Sequence, residues 1–528
     1  MNKKIQIWLP LLISIAMIVG MLIGYKMRDN QPGRNFFSLD KVTALQEVMN
    51  LIQNKYVDDV KINSLGDSAI ITVLNKLDPH SVFIPAEELQ AVNDDIAGNF
   101  FGIGIEFNIF NDTLNVLNVI PDGPSFKAGL TIGDKLIQVN DSVIVGKKIA
   151  AESIKKLLRG ELGTAVAVNV VREGKVQKFS IVRGIIPVSS VDASYIIENG
   201  IGYIKLNKFS QVTYKEFMKA LEGLQKQGLK KLILDLRGNG GGVLDEATAI
   251  ADEFLSGNKL ITYTEGKHIP KKEYRCQREG LFENGALVVL ADEGSASASE
   301  VLMGALQDWD RATIIGRRSF GKGLVQEQFD LNDGSALRLT VARYYTPIGR
   351  SIQRSYKNGE RAYYEEINQR FHDGEVVNAD SLKNDTSKIF TTQKGKKLFG
   401  GGGITPDIFV ALDTALFSNH LSRIYMKGII GDFTYHYFLQ NKARLSSHKN
   451  ITDFGNQFSF NEGDWKQFQD VAKKDSIDLS FINSTDKKQL LTRIKSSLAR
   501  QIWQNEGFYE IINKEDHAVL KGIEILSK

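Results

Sequence analysis

The chain has 528 residues, of which 42% are hydrophobic and 24% are charged, and its formal net charge is +4. This length exceeds what one hydrophobic core supports, so we expect several domains of ordinary globular composition. The near balance of charge gives little support to nucleic-acid binding. The single cysteine, Cys276, excludes a disulfide within the chain.

The first segment of the chain predicts a membrane anchor. Lys3 and Lys4 precede an uncharged, mostly apolar run over residues 5–25. At about 1.5 Å per residue, this run is long enough as a helix to cross a bilayer core of roughly 30 Å. The lysines favour an orientation with the N-terminus inside, which would place the body outside the cytoplasm, on the periplasmic side of an inner membrane. A cleaved signal peptide is the alternative for residues 1–28.

Residues 35–95 are predicted to form an N-terminal helical region. Apolar residues recur at helical spacing from Asp40 to about Leu77. The segment Asp78-Pro79-His80 then ends the pattern. We interpret His80 as a turn residue without a catalytic role.

Residues 98–185 predict a small domain of short strands with one helix, over residues 150–158. The order of these elements resembles a PDZ domain, and Phe101-Gly102-Ile103-Gly104 resembles its carboxylate-binding loop. In such a loop, glycines let backbone N–H groups converge on the terminal carboxylate of a peptide, which adds to the open edge of the sheet. The alternative is a small β-domain with a glycine-rich turn.

Residues 186–350 alternate strands and helices, which predicts an α/β core with a mostly parallel or mixed sheet, and this core extends over residues 186–410. Within it, residues 353–400 are polar and are interpreted as a surface insertion. Residues 411–528 have a helical pattern and predict a separate helical region without a catalytic signature. The fold class is therefore α/β and multidomain.

A run of small residues, Gly294-Ser-Ala-Ser-Ala-Ser-Glu300, contains a candidate nucleophile. Ser297 lies at a predicted strand–turn–helix junction, where unpaired N–H groups and the positive helix end can stabilise an oxyanion. A serine hydroxyl needs a base, and no histidine lies near this segment. The alternative is a serine that only caps the helix.

Lys322 lies 25 positions after Ser297 in a glycine-rich loop and is the candidate base. To act near neutral pH it must lose about three pKa units from about 10.4, or roughly 4 kcal/mol. Burial can supply that change, and Phe320 and Leu324 flank the lysine. The alternatives are a solvated lysine and a phosphate-binding loop. The second fails because Gly323 stands where a hydroxyl should bind Mg²⁺.

A second glycine loop, Asp235-Leu-Arg-Gly-Asn-Gly-Gly-Gly242, follows a predicted buried strand and precedes a helix. Such a loop can present another backbone N–H to an oxyanion. Asp235 and Arg237 are interpreted as anchors of the loop.

Together these segments resemble the carboxyl-terminal processing proteases over about residues 40–410. The resemblance rests on five signatures beside the PDZ-like loop, in the family's order: Leu234–Gly242, Gly294–Glu300, Ser319–Gln326, Tyr345–Arg350 and Gly403–Asp407. It implies a serine endopeptidase with a Ser–Lys dyad and without a metal or organic cofactor.

The family's roles transfer to matching positions of this chain. The resemblance implies Ser297 as nucleophile and Lys322 as general base, with Gln326, one helical turn further on, orienting the lysine. It implies the N–H of Ala298 and of a glycine in 240–242, for which we choose Gly241, as the oxyanion hole.

The sequence as a whole predicts a membrane-anchored protease that cleaves proteins near their C-termini. Its PDZ-like domain would capture substrates with apolar C-terminal tails, and oligomer formation stays open. One alternative is a non-catalytic PDZ adaptor that binds tails. Another is an acyl-CoA-processing enzyme, which explains neither the PDZ-like domain nor the anchor.

Overall fold

A computed structural model describes residues 14–21, 43–382, 388–413 and 418–528. The chain divides into two compact units, residues 1–69 and 70–528. Of the predicted anchor, only residues 14–21 are described, as a helix, and its remainder lies outside the described residues. Within the described part of the chain, no helix has the length and apolar character needed to span a membrane.

The secondary-structure elements are numbered in chain order. The helices are α1 (Ala44–Lys55), α2 (Ile62–Leu74), α3 (Ala86–Ala97), α4 (Pro124–Ala128), α5 (Ala151–Leu158), α6 (Thr213–Lys226), α7 (Leu244–Asp252), α8 (Ala298–Asp308), α9 (Glu360–His372), α10 (Asn419–Met426), α11 (Ile429–Leu445), α12 (Ile451–Gln457), α13 (Glu462–Lys474), α14 (Ser484–Ile512) and α15 (His517–Ser527). A short 3₁₀ helix covers Ala379–Ser381.

The strands are β1 (Val82–Ile84), β2 (Asn99–Gly102), β3 (Ile105–Phe110), β4 (Thr113–Val119), β5 (Lys135–Val139), β6 (Ser142–Val143), β7 (Ala165–Arg172), β8 (Lys175–Val182), β9 (Gly184–Pro187), β10 (Val191–Glu198), β11 (Ile201–Leu206), β12 (Lys231–Asp235), β13 (Leu260–Glu265), β14 (Lys272–Arg275), β15 (Ala286–Ala291), β16 (Thr313–Gly316), β17 (Leu324–Asp330), β18 (Ala336–Tyr345), β19 (Ile389–Thr391), β20 (Lys397–Phe399) and β21 (Ile408–Phe409).

The predicted N-terminal helices are confirmed as α1 and α2. The first begins at a capping box, in which the Thr43 hydroxyl accepts from the Gln46 N–H and the Gln46 side chain accepts from the Thr43 N–H. Such reciprocal bonds satisfy N–H groups that a helix start leaves unpaired. The second helix ends before the turn at Asp78 and His80.

The PDZ-like region folds as one antiparallel sheet in the order β3-β4-β5-β7-β8, with the short β6 beside β5. Alternate residues of the strands, among them Val116 and Val168, form a core that α5 covers with Ile154 and Leu158. Among the described residues, β3 pairs only with β4, so its other side is an open sheet edge.

The α/β core contains a six-stranded sheet in the order β10-β11-β12-β15-β16-β21. Only β10 runs antiparallel to its neighbour, which confirms the predicted mixed sheet. Helices α6, α7 and α8 cover one face. The glycine loop follows β12 and the Ser297 segment follows β15, so both emerge at the carboxyl edge of adjacent parallel strands.

The predicted helical C-terminal region is confirmed, but it is not separate from the core. Helix α15 packs Ala518, Val519 and Leu526 against the face of the sheet that carries Tyr203 and Ile233. A parallel sheet exposes apolar side chains on both faces, and each face requires a covering layer. The C-terminal helix supplies the second layer.

The interpretation of residues 353–400 as a surface insertion is wrong for part of that segment. Helix α9 buries Tyr363 and Arg370, which are 2% and 3% exposed. The polar composition misled the prediction because charged side chains can be buried when each one is paired. A second sheet, β1-β18-β13-β14 with β17 beside β18, lies next to this segment and carries Gln326.

Candidate active site

Ser297 lies immediately before α8, between the end of β15 and the helix. Its backbone has φ 56° and ψ −115°, a region that residues other than glycine rarely adopt. The N–H of Ala298, the first residue of the helix, donates no hydrogen bond to another described residue. The junction therefore combines a strained serine with a free donor at the positive end of a buried helix.

Glu300, one turn into α8, links the two candidate catalytic segments. Its carboxylate is fully buried. Oε2 accepts from the N–H of Ser297 and the N–H of Lys322, each at 2.8 Å. Oε1 accepts from the Ser319 hydroxyl at 2.5 Å and the Gly321 N–H at 2.7 Å. Burial raises the pKa of Glu300, and these four donors act in the opposite direction.

The side chain of Lys322 is held by an amide of fixed orientation. Lys322 Nζ donates to Gln326 Oε1 at 3.0 Å, and Gln326 Nε2 donates to the carbonyl of His80. The second bond fixes which end of the amide faces the lysine. Within the described residues, no hydrogen bond joins Lys322 Nζ to Ser297 Oγ.

The expectation that Gln326 lies one helical turn beyond Lys322 is wrong, because residues 324–330 form strand β17. The pairing of β17 with β18 shifts register between Val325 and Gln326. Irregularities of this kind redirect a side chain next to active sites. The two residues therefore meet through a turn followed by a shifted strand.

The surroundings of Lys322 lower its pKa. Burial is the largest cause, and the guanidinium of Arg338 lowers the pKa further, while Glu300 and Asp78 raise it. Leu324 is buried beside the lysine, as the sequence predicted. These contributions favour the neutral amine relative to a lysine in water.

The glycine loop after β12 packs directly against the Ser297 segment. A Cβ built on Gly241 would lie 2.8 Å from the nitrogen of Ala298 and 2.8 Å from Cβ of Ser297. The N–H of Gly241 itself donates to Asn239 Oδ1 at 2.9 Å. The structure thus places Gly241 beside the serine, with its N–H engaged inside the loop. An oxyanion role for Gly241 requires this bond to open and stays a prediction.

Asp235 and Arg237 hold the base of that loop. The buried carboxylate of Asp235 accepts from Tyr203 Oη at 2.8 Å and from the Arg237 backbone and side chain. Burial would raise the pKa of Asp235, but the charges of Arg237 and Lys205 outweigh it and the pKa lies below its usual range. Arg237 NH1 also donates to both carboxylate oxygens of Asp516, at 3.0 and 2.8 Å. The C-terminal region is thereby joined to the active-site loop.

Three residues contribute to the site without having been predicted from the sequence. Glu300 belongs to the run of small residues, and its place three residues after Ser297 fits a capping box. The backbone of His80 positions Gln326, so the turn interpretation was correct but incomplete. Tyr344 donates its hydroxyl to the Lys322 carbonyl, a contact that no local sequence signal indicates.

The candidate peptide-binding loop lies at the start of the PDZ-like sheet. Phe101 and Gly102 belong to β2, which pairs with β9, and Gly104 has φ 76°. Neither the N–H of Ile103 nor that of Gly104 donates a hydrogen bond to another described residue. Two donors next to the open edge strand are thus available to a ligand.

Family models match three parts of the chain. "Peptidase family S41" matches residues 200–358, "PDZ domain" matches residues 102–182, and a "Family of unknown function" matches residues 420–504. The "Carboxy-terminal-processing protease" of Bartonella bacilliformis is 37% identical over 316 residues, which cover 58% of this chain and 71% of that protein. The chain belongs to the carboxy-terminal-processing proteases.

It is therefore a serine-type peptidase with a PDZ domain. A "Probable CtpA-like serine protease" of Staphylococcus epidermidis is 33% identical over 361 residues, covering 66% of this protease and 72% of that protein. Among solved structures, a "Photosystem II D1 C-terminal processing protease" covers 70% of this protease and 86% of that chain, with 27% identity and a TM-score of 0.36.

Proposed function

We propose that this protease cleaves proteins near their C-termini, with Ser297 as nucleophile and Lys322 as general base. The observation that carries the proposal is the shared carboxylate oxygen of Glu300, which lies 2.8 Å from the backbone nitrogens of both residues. It holds together two residue types that form a catalytic dyad. Burial lowers the pKa of Lys322, which favours the neutral amine that can accept a proton.

The chemistry follows from these positions. Neutral Lys322 Nζ takes the proton of Ser297 Oγ as the oxygen attacks the scissile carbonyl. The N–H of Ala298 stabilises the developing oxyanion, joined by that of Gly241 once Asn239 releases it. The lysine then protonates the leaving amine, and a water molecule hydrolyses the acyl-enzyme with Lys322 again as base.

The resting arrangement requires one movement before catalysis. Lys322 Nζ is bonded to Gln326 and not to Ser297 Oγ. Catalytic hydrogen bonds are often long or absent before substrate binds. Gln326, fixed by the His80 carbonyl, would orient the lysine toward the serine when substrate fills the site.

The PDZ domain would recognise the substrate's tail. The free N–H groups of Ile103 and Gly104 support binding of a terminal carboxylate at the loop from Phe101 to Gly104. The open edge of β3 supports addition of the tail as a further strand. Apolar side chains of the tail would then lie beside those of β3.

We also propose that the protease acts outside the cytoplasm, held at the inner membrane by residues 1–28. The lysines before the apolar run support this orientation. Alkaline phosphatase fused after Lys528 should then be active in cells, whereas a cytoplasmic reporter fused at the same place should not. The reverse pattern would reject the proposed location.

The dyad is tested by comparing the full chain with Ser297→Ala, Lys322→Ala and Lys322→Arg. The substrate is an unfolded protein with an apolar C-terminal tail, offered with a free or an amidated terminus. We expect cleavage by the native chain alone, and faster cleavage of the free terminus. Arginine stays protonated and cannot replace a neutral lysine. Robust cleavage by Lys322→Arg would reject the dyad, and equal rates on both termini would reject tail recognition.

A further inference from the structure

The loop that carries Lys322, residues 318–322, has its backbone donors bound to the core. The N–H groups of Gly321 and Lys322 donate to Glu300, at 2.7 and 2.8 Å. Those of Ser319 and Phe320 donate to main-chain carbonyls of Ile404 and Ser295, at 3.1 and 2.9 Å. These bonds fix one side of the loop to the helix that follows Ser297, to the segment just before Ser297 and to Ile404.

The carbonyls on the other side of the loop converge on a single guanidinium. Arg370 NH1 donates to the Ser319 carbonyl at 2.7 Å and to the Arg318 carbonyl at 3.4 Å. Arg370 NH2 donates to the Phe320 carbonyl at 3.4 Å. Arg370 therefore spans three consecutive carbonyls that end two residues before Lys322.

The guanidinium of Arg370 is itself fixed. Its side chain is 3% exposed, and Nε donates to Glu366 Oε1, one turn earlier on α9, at 3.0 Å. Glu366 also pairs with Arg354 and Arg318. Glu375 pairs with Arg318 at 2.6 Å. Three guanidiniums thus share two carboxylates, and this network orients Arg370 toward the loop.

The aromatic rings around the network further restrict it. The guanidinium of Arg354 lies 4.1 Å from the ring centre of Phe320 and 3.8 Å from that of Tyr363. Stacking of this kind holds a planar guanidinium and suits arginine better than lysine. Since Phe320 belongs to the lysine loop and Tyr363 to α9, the stack joins the same two segments that Arg370 joins.

We propose that Arg370 is a positioning residue for proton transfer. It holds the loop of residues 318–322 so that the side chain of Lys322 stays within reach of Ser297. The inference rests on the proposed role of Lys322 as general base. It makes α9, within the polar segment 353–400, part of the catalytic apparatus. Displacement of a catalytic group by about 1 Å can cost about 100-fold in rate, and without Arg370 three carbonyls lose the donor that holds them.

A purely structural role for Arg370 predicts a different result. Loss of a buried donor destabilises the fold, and the activity would then fall only with the folded fraction. A positioning role instead lowers kcat in fully folded protein while KM changes little, because the PDZ domain that would bind the substrate's tail is untouched. Because catalysis needs the neutral amine of Lys322, we expect activity to rise with pH. A positioning role also shifts this alkaline rise, since displacement of the loop changes the burial of Lys322.

The test compares Arg370→Gln, Arg370→Lys and a control, Arg361→Gln, in the full chain. Arg361 lies on the same helix and is exposed. For Arg370→Gln we expect kcat about 100-fold lower with KM within about threefold. For Arg370→Lys, which keeps the charge but not the planar fork, we expect a loss of about 10-fold. The control should stay within about twofold.

The melting temperature and the pH profile are measured for each variant. A kcat of Arg370→Gln within about threefold of native, or a loss that follows the folded fraction, overturns the proposal. If Arg370→Gln does not fold, Arg370→Lys decides by the same criteria. An active Lys322→Ala variant would reject the proposed dyad. If Lys322→Ala is inactive while Arg370→Gln keeps native activity, the dyad stands and only the role of Arg370 is rejected.

Discussion

Gly241→Ala should disable the protease because the added methyl group meets only backbone and the nucleophile. Gly241 has φ 93°, and a Cβ there would lie 2.6 Å from the Ala296 carbonyl oxygen and 2.8 Å from the Ala298 nitrogen. Cβ of Ser297 lies at 2.8 Å as well. None of these atoms can move away by rotation of a side chain, so the segment around Ser297 must shift.

The size of the effect follows from these distances. The left-handed backbone costs an alanine roughly 1–2 kcal/mol, and crowding in a packed site adds about 1–3 kcal/mol. We therefore expect the free energy of unfolding to fall by about 2–5 kcal/mol. A shift of the nucleophile by about 1 Å should lower kcat about 100-fold, equivalent to about 2.7 kcal/mol of activation free energy.

The matched control is Gly240→Ala. Its added Cβ would meet no atom within 4 Å, and Gly240 does not have a positive φ. Both variants are assayed for kcat well below their melting temperatures, with an unfolded substrate that has an apolar tail. The control should keep native kcat. If Gly241→Ala also keeps kcat within about threefold, the close packing of the loop against the nucleophile does not matter for catalysis and the reasoning is refuted.

Two further predictions concern charge. Arg338→Met removes a positive charge that lowers the pKa of Lys322. The pKa of Lys322 should therefore rise, and the increase of kcat with pH should move to higher pH. An unchanged pH profile would contradict the electrostatic coupling between Arg338 and Lys322. Asp516→Asn keeps the cap of α15 but loses the ion pair with Arg237, so unfolding free energy should fall by about 1–2 kcal/mol and kcat should also fall. The control is Glu524→Gln, an exposed change on the same helix, which should leave both kcat and the melting temperature unchanged. If it lowers kcat and stability as much as Asp516→Asn does, the effect comes from the helix in general and not from the ion pair with Arg237.

Elements that depend on local pattern could be predicted from the amino-acid sequence. Small residues between a predicted buried strand and a predicted helix located Ser297 at the junction where the structure has it. Alternating strands and helices predicted the mixed sheet, and the order of short strands predicted the PDZ domain. These features follow from hydrophobic period and turn chemistry, which are properties of neighbouring residues.

The contacts that hold the candidate site together could not be predicted, because they join residues far apart in the chain. Glu300 bridges segments more than 20 positions apart, Arg370 reaches across about 50, and the Arg237–Asp516 pair across 279. The polar segment around α9 and the charged C-terminal region were predicted to lie outside the core, yet both are buried in part. The pattern of apolar and polar residues in a sequence reflects the polarity of each side chain. Whether a charged side chain is buried depends instead on a partner that the fold brings from elsewhere in the chain.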